Sequence, residues 1–348
     1  MPGRTAIGLD IGTSGVRAAE LSYGRGGITL ERFGQVALPD GAVRDGEVVD
    51  RATVAAAIKT LWKGSGFTGK RVALGVANQR VVVRQVDLPW IPAAELKASL
   101  PLQVQDFLPM PVEETVLDFH VTEELHEEGR RGLRGLLVAA SRDMVMSNVQ
   151  AAEAAGLRAT SVDLSPFAVL RSVAKPHGEV ATEALVDIGA RVSNLVIHSG
   201  GQPRFVRVLL TGGQDVTDAV AERIGVPATY AEGVKRGAVE ELDERERQLA
   251  HSAVELMQEV FVDEIRSSLD YYGAANPRFP VERIVVTGGG SQLPGLVERL
   301  QSVTRREVVA GRPTDGLHLG RTGLDEHQLA TIQPLAAVPV GLALGVIS

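Results

Sequence analysis

The stretch Gly8-Leu9-Asp10-Ile11-Gly12-Thr13-Ser14 decides how the rest of the chain reads, because it has a counterpart at Val186-Asp187-Ile188-Gly189. In both places an apolar run of strand character ends in Asp-Ile-Gly: Ala6-Ile7-Gly8-Leu9 leads into the first, Glu183-Ala184-Leu185-Val186 into the second. The first copy continues through Val16-Arg17-Ala18-Ala19-Glu20-Leu21, a turn at 24–27 and Ile28-Thr29-Leu30-Glu31. The second continues through Val192-Ser193-Asn194-Leu195-Val196-Ile197, a turn at Ser199-Gly200-Gly201 and Phe205-Val206-Arg207-Val208-Leu209. Short apolar runs separated by Gly-rich turns read as hairpins, so each copy predicts a three-stranded meander. Two copies about half a chain apart predict two related halves.

Around these meanders, helices alternate with strands. Val54, Ile58, Leu61 and Trp62 predict a helix over 50–62, and the runs 72–76, 81–86 and 136–140 predict strands. Leu96, Leu100, Val104 and Phe107 mark a helix face that Pro101 should kink or restart. A helix over 143–155 closes at Gly156, and a short one covers 216–224. The charged run 240–247 reads as a solvated helix start or loop. The longest helix, 251–272, carries a core stripe of Val254, Met257, Phe261, Ile265, Leu269 and Tyr272. A strand at 283–287 then meets Gly288-Gly289-Gly290-Ser291 and a helix from about 293 to 303.

Composition narrows the classes. A length of 348 residues suggests about two domains. The 36 Lys+Arg against 43 Asp+Glu, with no basic cluster, argue against nucleic acid as a partner. The absence of cysteine removes disulfides, thiolate metal sites and a Cys nucleophile, and fits the cytoplasm. Seven histidines show neither an i,i+4 pair nor HExxH, so zinc is not indicated, and no GxSxG elbow occurs. No secretory signal opens the sequence. The apolar run 335–347 is too short for a span and reads as a buried terminal helix.

A strand, a glycine turn and a helix start make a natural anion or nucleotide site, since glycine admits the ligand and free N–H groups point at it. On its own Thr287-Gly288-Gly289-Gly290-Ser291 is equally an ordinary tight turn, and neither GxGxxG nor GxxxxGK[ST] accompanies it. Together with both Asp-Ile-Gly turns, however, it resembles the actin-like ATPase superfamily, which includes actin, Hsp70 chaperones, sugar kinases and FtsA-like proteins. In that resemblance 8–14 is the first phosphate motif, 186–189 the second and 286–291 the adenosine motif. It implies an α/β, RNase H-like two-domain fold with ATP held between the halves. Asp10 and Asp187, one from each half, are hard oxygen ligands suited to hold Mg²⁺ through its waters. Buried together without a cation they would be costly; the alternative is that each caps a turn.

The middle of the chain is similar to the PilM family, the actin-like component of type IV pilus assembly. The similarity rests on Leu88-Pro89, the stretch 96–111, Glu114-Thr115-Val116-Leu117-Asp118-Phe119, Leu137-Val138-Ala139-Ala140-Ser141-Arg142-Asp143, Ala154-Ala155-Gly156-Leu157 and Val162-Asp163-Leu164. Tyr230-Ala231-Glu232-Gly233-Val234-Lys235-Arg236-Gly237 and the ending 338–344 extend it nearly end to end. The resemblance implies a first half over 1–180 with an FtsA-type inserted subdomain (1C) at about 71–157. A second half would cover 181–311, with its own subdomain at about 216–275, and 312–348 would return to the first half.

The same resemblance implies residue roles. Gly12, Thr13, Ser14 and Arg17 would meet the phosphates from one side, Gly189 and Ser193 from the other. Arg17 stands where many relatives carry Lys, and is bulkier and more planar. Glu232 and Lys235 would lie near ribose and adenine, and Gly288, Gly289, Gly290 and Ser291 against the nucleoside. Only 6 of the 36 basic residues are Lys, which singles out Lys235. Asp163 is a further candidate near the metal. Arg191 replaces a small residue and would either tighten or obstruct phosphate contact. No clear water-orienting residue emerges beyond Asp10, Asp163 and Asp187, so slow or absent hydrolysis is expected.

As partner, the resemblance implies the cytoplasmic N-terminal tail of a PilN-like membrane protein, in a groove beside the inserted subdomain. Other pilus inner-membrane platform proteins would follow, and membrane association would come only through the partner. Two alternatives are an FtsA-like membrane adaptor and a carbohydrate kinase. The first expects a basic amphipathic C-terminal helix, yet 341–348 contains no Lys or Arg; the second expects a substrate-facing catalytic Asp motif that is not found.

Overall fold

The structure is a computed structural model describing residues 4–127, 130–174, 181–239, 241–320 and 322–346. The expected boundary between halves at 180/181 abuts 175–180, which lie outside the described residues, as does Glu240 of the charged run.

The first meander is β1 (Arg4–Ile11), β2 (Gly15–Gly24) and β3 (Gly27–Ala37). A short hairpin of β4 (Val43–Arg44) and β5 (Glu47–Val48) follows, then α1 (Arg51–Ser65). Helix α1 starts where the Asp50 carboxylate accepts from Thr53 N at 3.0 Å, and it buries Val54, Ile58 and Leu61. Strand β6 (Arg71–Val76) then lies parallel to β1. From Val81 the chain leaves this sheet to build a separate layer. That layer holds β7 (Val81–Pro89), α2 (Ala93–Val104), β8 (Thr115–Glu127) and β9 (Arg130–Ser141), and α3 (Arg142–Ala154) leads back from it to pack Ala151 and Ala152 into the first half's core. Its sheet has the order β7-β9-β8, and Val86, Leu88, Leu133 and Leu137 pack on Leu96, Leu100 and Val104 of α2. Helix α2 runs through Pro101 without restarting and ends three residues later, where a single 3₁₀ turn takes over. Strand β10 (Arg158–Leu164) returns to the first sheet beside β6, and α4 (Ser165–Val173) follows. The span expected as the insert thus includes β6, a strand of the main sheet.

The second half repeats the plan. Its strands are β11 (Thr182–Ile188), β12 (Ser193–Ser199) and β13 (Gln202–Leu209). Three helices follow: α5 (Gly213–Ile224), α6 (Ala228–Lys235) and α7 (Glu244–Ala275). Then come β14 (Arg283–Thr287), α8 (Leu296–Thr304) and β15 (Glu307–Ala310). The chain closes with β16 (His318–Leu319), α9 (Glu326–Ile332) and α10 (Ala337–Gly345). The first sheet has the order β10-β6-β1-β2-β3-β16 and the second β15-β14-β11-β12-β13. Apart from the edge strand β16, the two orders and their parallel and antiparallel pairings coincide. This is the duplication that the two Asp-Ile-Gly copies predict. Part of the charged run turned out to be the first turn of α7: the Asp243 carboxylate accepts from Glu246 N at 2.7 Å, and Glu246 answers on Asp243 N at 3.1 Å.

Each half has its own core, and a third cluster joins them. Ala73, Ala168, Val169, Val338 and Leu342 from the first-half side pack on Leu185, Val196, Val206 and Val285 of the second sheet. The apolar tail is the buried helix α10, wedged between β1 and α4. A Cβ on Gly8 would fall 2.0 Å from Pro339 O, and one on Gly341 would fall 1.7 Å from Ala168 O, so the backbones touch directly. Among the described residues no single helix is long and apolar enough to cross a membrane.

Candidate functional site: the cleft between the halves

Both Asp-Ile-Gly turns end at one cleft of about 740 Å³ between the two sheets. The turns are closed alike: Gly12 N donates to Gly15 O at 3.0 Å, and Gly189 N donates to Val192 O at 3.2 Å. In each, the aspartate is the second-last residue of the strand. Cross-strand pairing sets Asp10 opposite Arg17 and Asp187 opposite Asn194, both partners seven residues on. The cross-strand partner of a cleft-facing residue faces the same way, and Arg17 and Asn194 accordingly line the cleft.

The two carboxylates differ in their company. Asp10 has the Arg17 guanidinium 3.8 Å away. Burial pushes the Asp10 carboxyl above its ordinary range and Arg17 pulls it partly back. Asp187 has the neutral amide of Asn194, whose Nδ2 donates at 3.3 Å. Burial, then the charge of Asp10 across the cleft, raise Asp187 to about 6, with Asn194 and Arg17 opposing. Glu183, four residues earlier on the same strand, provides a control. It is equally buried, yet Arg283 donates to it at 2.7 Å and His198 stands 3.2 Å away. Burial raises it, but these partners outweigh that and hold it below its ordinary range. Among the described residues, Asp187 therefore faces a neighbouring carboxylate without an ion pair of its own. Two further buried polar atoms at the site, Arg17 Nε and Asn194 Oδ1, lack hydrogen-bond partners among the described residues.

The third wall is the glycine turn after β14. Gly288 has φ +82°, and a Cβ there would meet Ile188 O at 2.4 Å, so only glycine lets this turn pack on the second Asp-Ile-Gly strand. Gly288 N donates to Pro334 O at 2.7 Å, which ties the turn to the segment ahead of α10. Gly288, Gly289 and Gly290 line the cleft. Ser291 turns away from it, donating its hydroxyl to Gly288 O at 2.7 Å.

The fourth contributor is the α5–α6 pair. Lys235 Nζ donates to Gly213 O and to Thr217 Oγ1, both at 2.8 Å, and pairs with Glu232 at 2.6 Å. Thr217 and Arg236 also donate to Glu232, which brings Glu232 below its ordinary range although burial alone would raise it. Both residues line the cleft, so a charged pair stands at its rim with each member already bonded to the helix beside it.

Not every expected residue reaches the cleft. Thr13, Ser14 and Gly189 line it, whereas Ser193 is fully buried and donates to Thr211 O at 2.6 Å. Ser193 pairs with Ile188, one place out of step with the cleft-facing side chains, and Asn194 occupies the facing position instead. The seven-residue spacing from each Asp, 10 to 17 and 187 to 194, would have found it. Asp163 lies on β10 outside the cleft, ion-paired to Arg171 and accepting from Leu164 N at 2.8 Å. Arg191 is drawn off to α5, donating to Asp215 at 2.8 Å and pairing with Asp218 at 2.5 Å, and so is not among the cleft-lining side chains.

Among the described residues no group of three or more His, Asp or Glu stands together as a metal site. Two carboxylates on opposite walls do fit a hydrated Mg²⁺ whose remaining ligands are water and phosphate oxygens, and such a cation would relieve the Asp10–Asp187 repulsion.

A six-stranded and a five-stranded sheet that share one five-strand topology, facing each other across an Asp-lined cleft with α10 crossing back, define an actin-like protein. A solved MreB5 of Spiroplasma citri bound to ADP matches the fold at a TM-score of 0.51, with 12% identity over 98% of this chain and 95% of that one. Within this class the family is shown directly: the family model described as "Type IV pilus assembly protein PilM" matches residues 8–346, and the chain belongs to that family. A chain of the solved PilM–PilN type IV pilus biogenesis complex is 27% identical, with all of both chains covered and a TM-score of 0.84. Among curated proteins, the cell division protein FtsA of Streptococcus pneumoniae is 24% identical, covering 85% of this chain and 73% of its own.

Proposed function

We propose that this chain binds Mg·ATP in the cleft between its halves and docks the cytoplasmic N-terminal tail of a PilN-like membrane protein beside the inserted layer. In this reading it is a cytoplasmic protein brought to the membrane, and to the other platform proteins of the pilus machine, by that partner. The observation that carries the nucleotide half is the pair Asp10 and Asp187: two carboxylates from opposite walls, Asp187 buried and Asp10 nearly so, one of them raised to about 6 in part by the other. A divalent cation bound through water, with a polyphosphate supplying oxygens, is the ligand that turns this repulsion into attraction. The hairpin turns at 12–15 and 189–192 then present backbone to the phosphates, and the Gly288–Gly290 turn leaves room for the nucleoside.

The partner half is supported by the end-to-end similarity to a chain solved in complex with PilN. Hydrolysis is slow in this reading: Asp163 is held by Arg171, Glu232 by Lys235 and Arg236, and Asp10 and Asp187 are the carboxylates committed to the cation. The test has two arms on the full chain. Isothermal titration with ATP, with and without Mg²⁺, should show metal-dependent binding and little turnover. Capture on an immobilised PilN-type tail peptide should succeed and fail when 81–141, the inserted layer without the core helix α3, is removed. Metal-independent or absent ATP binding overturns the first arm, and capture that survives the deletion overturns the second.

A further inference from the structure

Residues 51–86 contain seven Lys and Arg and no Asp or Glu, in a chain whose net charge is −7. Three of the chain's six lysines, Lys59, Lys63 and Lys70, fall in this run. Along the sequence these cations are spaced too widely to form a cluster, but the fold gathers several of them at one place. Strands β1, β6 and β10 run parallel, with Asp10 and Gly75 at their cleft ends. Arg71 and Arg158 therefore stand at the opposite end, as neighbours across the sheet. Arg158 N donates to Lys70 O at 2.7 Å. Helix α1 finishes at the same end, where Trp62 Nε1 donates to Gly69 O at 2.8 Å and Lys63 occupies the last turn. Lys59 lies one turn back on α1. Arg25 sits in the β2–β3 turn, and the pairing of Tyr23 with Arg4 at the start of β1 brings that turn to this end as well.

All six side chains, Arg25, Lys59, Lys63, Lys70, Arg71 and Arg158, are exposed, and none is ion-paired among the described residues. Of the carboxylates at this end on the elements that build it, Glu20 is paired with Arg32 and Glu31 accepts from Ser22, which leaves Glu153 near the end of α3. The last carbonyls of α1 and α3 also point here, each helix end equivalent to about half a negative charge. Complementing two helix ends explains part of the basic character, yet the cations remain in surplus. The surface also lacks an apolar anchor: among the described residues, no large exposed hydrophobic side chain falls in 24–27, 59–71 or 153–158. A protein partner binds around a desolvated apolar or aromatic centre. A fluid layer of anionic headgroups asks only for cations.

We propose that this end of the first half, away from the cleft, is a contact surface for the anionic lipid headgroups of a membrane. The proposal goes beyond the functional reading above, in which a partner's tail supplies the tether. A tethered chain meets headgroups at high effective concentration, so a contact too weak to recruit it alone still sets which end faces the membrane. Each cation near such a surface adds its own small attraction, and that attraction fades within a Debye length of about 8 Å at physiological salt. The binding is therefore weak, additive and salt-sensitive.

The experiment sediments the full chain with vesicles of phosphatidylcholine, alone or mixed equally with phosphatidylglycerol. Neither nucleotide nor tail peptide is present, so its failure is separate from failure of the functional reading. At low salt the wild type should partition onto the anionic vesicles ~10-fold or more above the neutral ones, and high salt should release it. The triple variant Lys63→Gln, Lys70→Gln, Arg158→Gln should lose most of that excess. A control with Arg223→Gln, Arg245→Gln and Arg266→Gln, three exposed cations of the second half, should keep it. Equal partitioning of the wild type onto both vesicles, or equal loss in the two variants, overturns the proposal. Sedimentation without vesicles that the first variant alone abolishes also overturns it, and assigns the face to a second copy of the chain. Should the first variant not fold, acylation of Lys63 and Lys70 in the wild type, read by mass spectrometry, decides. Slowing by anionic but not neutral vesicles supports the contact, and unchanged rates overturn it.

Discussion

The two halves share one strand order and one turn motif, yet they treat the same residue differently. In the first, Asp10 faces Arg17 across the hairpin at 3.8 Å; in the second, Asp187 faces the neutral Asn194. A fold duplicated in backbone is therefore not duplicated in electrostatics. One wall brings its own cation, and the other leaves a buried carboxylate raised to about 6. The asymmetry suits a site in which the second aspartate depends most on a metal.

The largest effects come from removing either carboxylate. Asp10→Asn and Asp187→Asn should each weaken Mg·ATP binding about 100-fold, or ~2.7 kcal/mol, by titration calorimetry. The comparison is sharpened by the ligand-free proteins. At pH 7.5 Asp187→Asn should melt above wild type, because it deletes an uncompensated buried charge. Asp10→Asn, which also strands Arg17, should gain less; equal gains would break the distinction. Next, Arg17→Ala should cost roughly 10-fold in Mg·ATP affinity, or ~1.4 kcal/mol, since it removes the cation that lines the cleft beside the first turn. It should also push Asp187 further up, because Arg17 lowers it.

A smaller effect concerns pH. Asp187 is raised from 3.8 to about 6, so the folded protein binds its proton more tightly than the unfolded chain does. The resulting stability is fully present below about pH 4 and is lost as pH rises through about 6, so the ligand-free protein should melt progressively lower over that window. Mg·ATP needs the ionised form, so its affinity should fall below about pH 6. Asn194→Ala removes a bond to the carboxylate and should move that midpoint upward, read from titrations across pH 5 to 8. Least affected should be Arg191→Ala, which loses partly exposed pairs with Asp215 and Asp218. A cost of about 0.5–1 kcal/mol and a melting shift of a few degrees are expected, with ATP affinity within about twofold.

Much of this was legible in the sequence, for identifiable reasons. The repeated Asp-Ile-Gly showed the duplication because a buried strand ending in a carboxylate and a glycine is a costly combination to place twice. The glycine turn after β14 was legible because Gly288 must adopt a positive φ against Ile188. Start and stop positions were less so: α7 begins seven residues before the expected start at 251, held by a capping box between Asp243 and Glu246 that periodicity does not register. Pro101 did not break α2, as it sits near the end, where few turns remain to be disturbed. Which side chains enter the cleft depended on strand parity. Ser193 and Asn194 are neighbours with opposite facings, and only the pairing of Asp187 with Asn194 tells them apart. Arg191 and Asp163 found partners on other elements, Asp215 and Arg171, that lie 24 and 8 residues away. Composition and spacing carry no signal for such pairings.

The most direct test of the central claim is the metal dependence of ATP binding in the wild type and in Asp187→Asn at pH 7.5. The account predicts binding in Mg²⁺ that is largely lost on chelation with EDTA, and weak binding by Asp187→Asn whether or not Mg²⁺ is present. Tight ATP binding that ignores both the chelator and the substitution would contradict it.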